Sequence, residues 1–365
     1  MRVLHYYPLT DSMIAQHVTI LTSSMGLEVE NHLATDSSKA RTLLEDGSYD
    51  LLHLHGCWRN SLRTMIGIAQ KQGVRIVVTP HGQLEPWVVD QNYWKEKLPK
   101  QLLYQRDIIR QAYAIIIQGK MEQECMKKLA WNPRCVIVRN AVITRSTTAE
   151  AMAKETYAIY RKVMDSNPLQ LMSDETLEAL GIIIKAGITG DTRWFDTPPS
   201  PVSLPQESWR QLLCYAHQEQ ITSTIERGLQ VLRCTYPDID ASQIPYFLPA
   251  DYQQVSCIGE SIGNQFASEN DRLLATFRLV RKLIASRQLS IRHLIEIDQE
   301  LRQHHCEEDA LSETLKEHKL WTLAGRIMQL LSELTGFTEG FMPVPSLNDR
   351  TTRQIKRQIE NHLKI

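Results

Sequence analysis

Through residue 142, short apolar runs alternate with stretches whose apolar positions recur at helical spacing. Arg2–Tyr6 (RVLHY) predicts a first strand, followed by a polar loop over 8–12. Ile14, Val18, Leu21 and Met25 share one face of a helix expected over 15–25, with Gly26 as its stop. A second strand is expected over 27–34 and a short helix over 37–44. The run Asp50–His55 (DLLHLH) predicts a buried strand ending at Gly56. Leu62, Met65, Ile66 and Ala69 mark a helix over 62–71, stopped at Gly73. The run VRIVV over 74–78, rich in β-branched residues, predicts a strand covered on both faces, ending in Thr79-Pro80-His81-Gly82. A long polar helix over 94–112, a strand over 113–118, a helix over 120–129 and a last strand over 135–138 complete the series. Such alternation predicts a Rossmann-like parallel sheet with right-handed crossovers. Ligands of such sheets lie at the carboxyl ends of the strands, where both His-Gly pairs, His55-Gly56 and His81-Gly82, are found.

After Thr144 the pattern changes. Helices are expected over 149–164, 174–186, 206–232, 270–286, 291–304, 311–335 and 349–363, and no further series of β-branched strands occurs. Met152, Tyr157, Tyr160, Met164, Leu283, Ile284, Leu330 and Leu331 are candidate core positions. Four prolines in DTPPSPVSLP over 196–205 predict a connection, and 237–251 reads as irregular. The expected class is α/β, with a Rossmann-like domain over 1–145 and a mostly α-helical domain over 146–365.

Composition narrows the function classes. Lys plus Arg (41) balances Asp plus Glu (42), so nothing global points to nucleic acid or an anionic membrane. Seven scattered cysteines without a C-x-x-C fit reduced thiols and give no zinc pattern, which makes the cytoplasm the expected location. No apolar run reaches the ~20 residues of a transmembrane helix. His53 and His55 share a strand face, but no carboxylate or cysteine is placed to complete a metal site, so neither a metal nor a cofactor is expected. His304-His305-Cys306-Glu307-Glu308 holds metal-binding residue types that cannot converge from adjacent helical positions. The tail, with Arg350, Arg353, Lys356, Arg357 and Lys364, reads as an exposed helix face. Trp58, Trp87 and Trp94 flank the strand-end loops and offer either stacking faces for sugars or buried apolar area. Glu85 reads as a hydroxyl acceptor or a cap, Arg106 with Asp107 as a local pair, and Asn140 as a turn former.

DLLHLHGCW (50–58), TPHGQLEPW (79–87), LLYQRDIIRQA (102–112) and VIVRNAV (136–142), in this order and spacing, resemble the N-terminal domain of family-four retaining glycosyltransferases of the GT-B fold, especially those of bacterial polysaccharide synthesis. The resemblance implies that the first 145 residues supply the acceptor side of a sugar-transfer site. It implies a catalytic role for His81, facing donor sugar and phosphate; beside it, substrate contacts are expected for His55, Gly56, Trp58, Gly82, Glu85, Trp87 and Asn140. The implied partners are a nucleotide-sugar and a saccharide or lipid-linked acceptor. Asp11-Ser12 stand where the family has paired glycines, and VIVRNAV replaces a run closer to proline-asparagine-glycine-valine. The family's second domain binds the nucleotide-sugar through a basic residue and two glutamates. Glu300 and Glu308 have the glutamate separation but lack the intervening glycine, and Gly325-Arg326 lacks its context. Two functions are therefore expected as alternatives: sugar transfer, or non-catalytic binding of a saccharide or of a protein partner docked through the helical half.

Overall fold

The computed structural model describes all residues except 9–11, 196–201, 251, 253, 255, 264 and 304–306. Asp11, most of the proline-rich stretch and the His304-His305-Cys306 run lie outside the described residues. Two compact units emerge. The first holds Met1–Ser166, Pro245–Ala250 and Ile365, and the second holds Asn167–Ile244 and Asp251–Lys364. The first unit therefore extends beyond residue 145 and includes the helix that follows.

In the first unit, strands β1 (Arg2–Tyr6), β2 (Glu30–Ala34), β3 (Leu51–His55), β4 (Arg75–Thr79), β5 (Ala114–Ile117) and β6 (Cys135–Ile137) form one parallel sheet of order β2-β1-β3-β4-β5-β6. Helices α1 (Ser12–Ser23), α2 (Ser37–Glu45) and α3 (Asn60–Lys71) cross between the first four strands. Asp36 caps α2 by accepting from the N–H groups of Ser38 and Lys39. A short α4 (Pro86–Asp90) precedes a helical run over 93–110. This run is wound as π-helix at Tyr93–Lys97 and Gln101–Gln105, with α5 (Leu98–Lys100) and α6 (Arg106–Arg110) between and after them. The sequence predicts a plain polar helix here; in fact Tyr104, Gln105, Ile108 and Ile109 are buried. Helices α7 (Lys120–Leu129) and α8 (Ala149–Met164) complete the unit.

Side chains alternate across the strands, so each strand feeds two cores. Leu4, Tyr6, Leu52, Leu54, Ile76, Val78, Ile115 and Ile117 join the α2 and α3 side. Val3, Leu51, Val77 and Ile116 join Leu21 of α1 and Met152, Ile159 and Tyr160 of α8, with Phe247 added from a distant segment.

Among its described residues the second unit has no strand. It consists of α9 (Asp174–Thr189), α10 (Gln206–Gln218), α11 (Thr222–Val231), α12 (Ile258–Ile262), α13 (Glu269–Ala285), α14 (Ile291–Gln303), α15 (Glu308–Glu317), α16 (Trp321–Leu334) and α17 (Arg350–Glu360), with short 3-10 turns. Two helices expected as continuous are broken. Gln220 (φ 57°) divides 206–232, and Lys319 (φ 56°) divides 311–335. Leu330 and Leu331 are core, whereas Leu283 and Ile284 are only half-buried. Asp349 caps α17 in a reciprocal pair with Thr352. No helix among the described residues is long and apolar enough to cross a membrane.

Helices α9 and α11 approach closely because each presents a glycine to the other. A Cβ on Gly187 would lie 2.0 Å from the Thr224 carbonyl oxygen, and one on Gly228 2.1 Å from that of Ile183. Gly181, on the same helix as Gly187, faces open space. Gly187→Ala is therefore expected to cost about 2 kcal/mol or more through overpacking. Gly181→Ala is expected to add about 0.5–1 kcal/mol through helix propensity. Urea unfolding of the two variants measures both, and equal effects would show that the close crossing is not needed.

Candidate functional site

The sheet face under α1 and α8 carries a polar strip at the carboxyl ends of the central strands. In the parallel register His5 of β1 neighbours His53 of β3, and His55 neighbours Thr79 of β4. Residues two apart share a face, so His5, His53 and His55 point together into the protein. All three are fully buried. His17 joins them from α1, where it falls on the apolar face between Ile14, Val18 and Leu21; it too is buried.

Burial demands partners for these rings. His53 Nδ1 lies 2.6 Å from the Tyr160 hydroxyl, and its Nε2 lies 2.7 Å from Thr79 Oγ1. The others form a chain. Asn31 Oδ1 faces His5 Nε2 at 3.0 Å, His5 Nδ1 faces His55 Nε2 at 3.0 Å, and His55 Nδ1 faces His81 Nε2 at 3.0 Å. His81 Nδ1 then meets Gln118 Nε2 at 2.8 Å, and Gln118 Oε1 accepts from Asn140 Nδ2 at 3.3 Å.

Both ends are set by the backbone. Asn31 Nδ2 donates to the Val29 carbonyl at 3.4 Å, and Asn140 Oδ1 accepts from the Val142 N–H at 2.9 Å. With the ends fixed, every donor follows. His5, His55 and His81 each carry the proton on Nε2 and accept at Nδ1, all neutral. Burial agrees, holding His5 down to about 4 and His53, His55 and His81 well below the ordinary histidine value. Neighbouring imidazoles act in the same direction on all four.

The turns that carry the chain are backbone specialisations. Gly56 (φ 93°) and Gly82 (φ 77°) occupy the left-handed region that glycine enters without cost. His81 itself has φ 56°, a conformation that costs a non-glycine residue on the order of 1 kcal/mol or more and persists only where its surroundings hold it. The Gly56 N–H bonds the Thr79 carbonyl at 2.8 Å. Gln83 and Gln105 accept from the N–H groups of Cys57 and Trp58, each at 2.6 Å. Beneath the second turn lies Glu122, fully buried. It accepts from the N–H of Leu84 at 3.4 Å and of Gln118 at 3.3 Å. Burial raises its carboxyl to about 7 against the pull of these donors.

His81, Gln83, Glu85, Trp87, Gln118 and Asn140 line an open pocket of about 440 Å³, with Gly82 and Ile14 also in its wall. Among the described residues no lysine or arginine lines it. Trp87 is 64% exposed, and its indole N–H donates to Glu85 Oε2 at 2.7 Å. Glu85 therefore orients an exposed aromatic face rather than capping α4.

The structure brings His81, Gly82, Glu85, Trp87 and Asn140 of the expected site residues together here. His55 and Gly56 lie behind His81 as its support. Trp58 stands apart. It is buried, donates its indole N–H to the Gln83 carbonyl at 2.9 Å, and faces a second depression with Arg59, Asn60, Glu96, Lys97 and Lys100. Trp94, 79% exposed, lines neither. Asp107 reaches Arg63 of α3 at 3.7 Å rather than its neighbour Arg106. Glu300 is held by Arg272 at 2.8 Å, on a different helix from Glu308.

His5, His17, Asn31, Gln83, Gln118 and Glu122 escape a reading of the sequence by motif. His5 and His17 do carry a signal, since each occupies an inward position of its apolar pattern.

With this geometry established, comparison with known families is informative. Residues 20–141 match the family model described as a glycosyl transferase 4-like domain. That segment, from within α1 to the turn after β6, is similar to a glycosyltransferase 4-like domain and is part of the chain only. It includes the supporting residues Asn31, His55 and Gln118, while His5 and His17 precede it. Neither the curated proteins nor the solved structures give a match.

The neutral histidines make stability depend on pH. Their folded-state values are depressed, so as pH falls below ~6.5 the unfolded chain takes up protons first and folding weakens. His5 alone is expected to account for a loss on the order of 2–3 kcal/mol by pH 4. Glu122 acts oppositely: its raised value means stability is lost as pH rises from ~4.5 through about 7. Chemical unfolding across pH 4 to 8 tests both. Glu122→Gln should remove the loss on the neutral side, and a profile without acid sensitivity would exclude the neutral chain.

Proposed function

We propose that this glycosyltransferase-like protein transfers a sugar from a nucleotide-sugar to a saccharide or lipid-linked acceptor, with the strand-end pocket of the first unit holding a sugar. The observation that carries the reading is the pocket lining. Three side-chain amides, one carboxylate and one exposed indole are the chemistry that recognises a hydroxylated ring through hydrogen bonds and stacking. A volume of about 440 Å³ falls within the range of small-molecule sites. In this reading His81 sets the pocket floor. Its Nδ1 becomes available to a sugar hydroxyl when the Gln118 amide turns away, and the chain through His55 and His5 keeps the ring neutral and correctly oriented. Polysaccharide synthesis in the cytoplasm is the setting we infer, from the domain type and the dispersed free thiols.

A second reading is favoured by a specific observation. Departure of a nucleoside diphosphate requires positive charge or directed dipoles. Among the described residues the pocket wall offers no lysine or arginine and the second unit has no strand. The protein would then bind a saccharide without transferring it, or serve a protein partner.

Thermal shift with neutral mono- and disaccharides, UDP- and GDP-sugars and free nucleotides, alongside a transfer assay, separates the two. Sugar-dependent stabilisation that His81→Ala and Trp87→Ala each reduce at least ~10-fold in apparent affinity supports the pocket. Transfer abolished by His81→Ala supports the first reading. Saccharide binding without transfer selects the second, and no response to any sugar sinks both.

A further inference from the structure

We infer that His17, His55 and His81 form a binding site for a borderline divalent transition metal, zinc in the first instance, opening toward the strand-end pocket. One ring nitrogen from each of the three lies within 4.8 Å of the others. His55 Nδ1 and His81 Nε2 are already 3.0 Å apart. Bonds of ~2.0–2.1 Å in a tetrahedron set ligand nitrogens ~3.3 Å apart, so this pair has the required spacing. The His17 nitrogen lies no more than 4.8 Å from the other two, so binding requires it to approach by up to ~1.5 Å.

An independent observation points to the same place. His17 is only 5% exposed and its ring has a side-chain hydrogen bond with Asn140, yet its Nδ1 meets no partner in hydrogen-bond geometry. Its ring stands edge-on to His81, centroids 4.7 Å apart, and 6.1 Å from that of His55. A buried nitrogen lone pair without a donor is costly unless something binds it. An ion shared with the two neighbouring rings would satisfy it.

Proton bookkeeping is local. His55 keeps its Nε2 proton on His5 and offers Nδ1 to the metal, as it now offers it to His81. His81 moves its proton from Nε2 to Nδ1, and Gln118 turns its amide to accept it through Oε1, giving up the 3.3 Å contact with Asn140. No proton leaves the cluster. His5 and Gln118 thereby become the groups that orient the ligating rings, the role outer partners commonly fill at metal-bound imidazoles. Three imidazoles suit zinc, cobalt, nickel or copper rather than magnesium or calcium, which take oxygen ligands. The fourth position faces the side on which His81 borders the pocket, where a water or a sugar oxygen would complete the shell. The proposal stands independently of sugar transfer, because it is read by metal binding.

The test is titration of the full-length chain with Co²⁺, followed by visible absorption, and then competition with Zn²⁺. The expected result is one Co²⁺ per chain with the intense d–d bands of four-coordinate cobalt, bleached by Zn²⁺. His17→Ala and His81→Ala should each weaken binding at least ~10-fold. His32→Ala, which alters a histidine bonded to Tyr49 and Glu30 away from the cluster, should leave it unchanged. His17→Cys restores a ligand, so binding should return with an added thiolate-to-metal charge-transfer band. That variant decides the question should His17→Ala prove unstable. No cobalt binding to the wild-type chain, binding that survives both alanine substitutions, or His17→Cys binding without the thiolate band would overturn the site.

Discussion

An imidazole removed from water without partners costs several kcal/mol, and the covered face of this sheet carries three within two adjacent strands. Much of the first unit answers to that constraint. Tyr160 on α8 and Thr79 on β4 take up His53. Asn31 on β2 fixes one end of the remaining chain, and Gln118 with Asn140 fixes the other. Because backbone groups hold both terminal amides, the tautomer of His81 is decided by a carbonyl three strands away on one side and an amide two strands away on the other. The left-handed turn at His81 is the local strain accepted so that the ring reaches back into this chain.

Charge is managed differently in the two depressions of the first unit. Among the described residues the pocket beside His81 is lined by polar groups without lysine or arginine, while the one beside Trp58 gathers Arg59, Lys97 and Lys100 with Glu96. The π-helical turns at Tyr93–Lys97 and Gln101–Gln105 bear on this division. Wider winding shifts the phase of the following residues, so Tyr104 and Gln105 point inward to hold the Trp58 loop while Leu102 and Leu103 remain exposed.

Much of the sheet is legible in the residues, because β-branched runs bounded by Gly-rich turns have few other solutions. The parallel strands, the His-Gly strand ends and the helical second half follow from periodicity, and the motif run over 50–142 agrees with the family match. What escapes such reading depends on register. Nothing in RVLHY tells that His5 will stand beside His53, since that requires β1 to pair with β3 in one specific alignment. His17 looks like a polar interruption of an apolar stripe until α1 is laid on the sheet. Trp58 reads as a stacking platform because its turn conformation, φ 63°, is invisible in the sequence. Breaks at Gln220 and Lys319 are missed because neither residue is a glycine or proline.

The assignment of Pro245–Ala250 to the first unit has a consequence for how the protein is made. Phe247 belongs to the buried cluster that includes Val3, Leu51, Val77, Met152 and Tyr160, its N–H is held by Ser166 Oγ at 2.8 Å, and Lys162 lies over its ring. A nascent chain that has left the ribosome as far as Ser166 has all six strands but lacks this wedge. That residue follows only after the polypeptide between Asn167 and Ile244 is synthesised. The buried cluster of the N-terminal unit is thus completed only once translation has passed through residues 167–244, and until then the α8 side of the sheet lacks one of its apolar side chains.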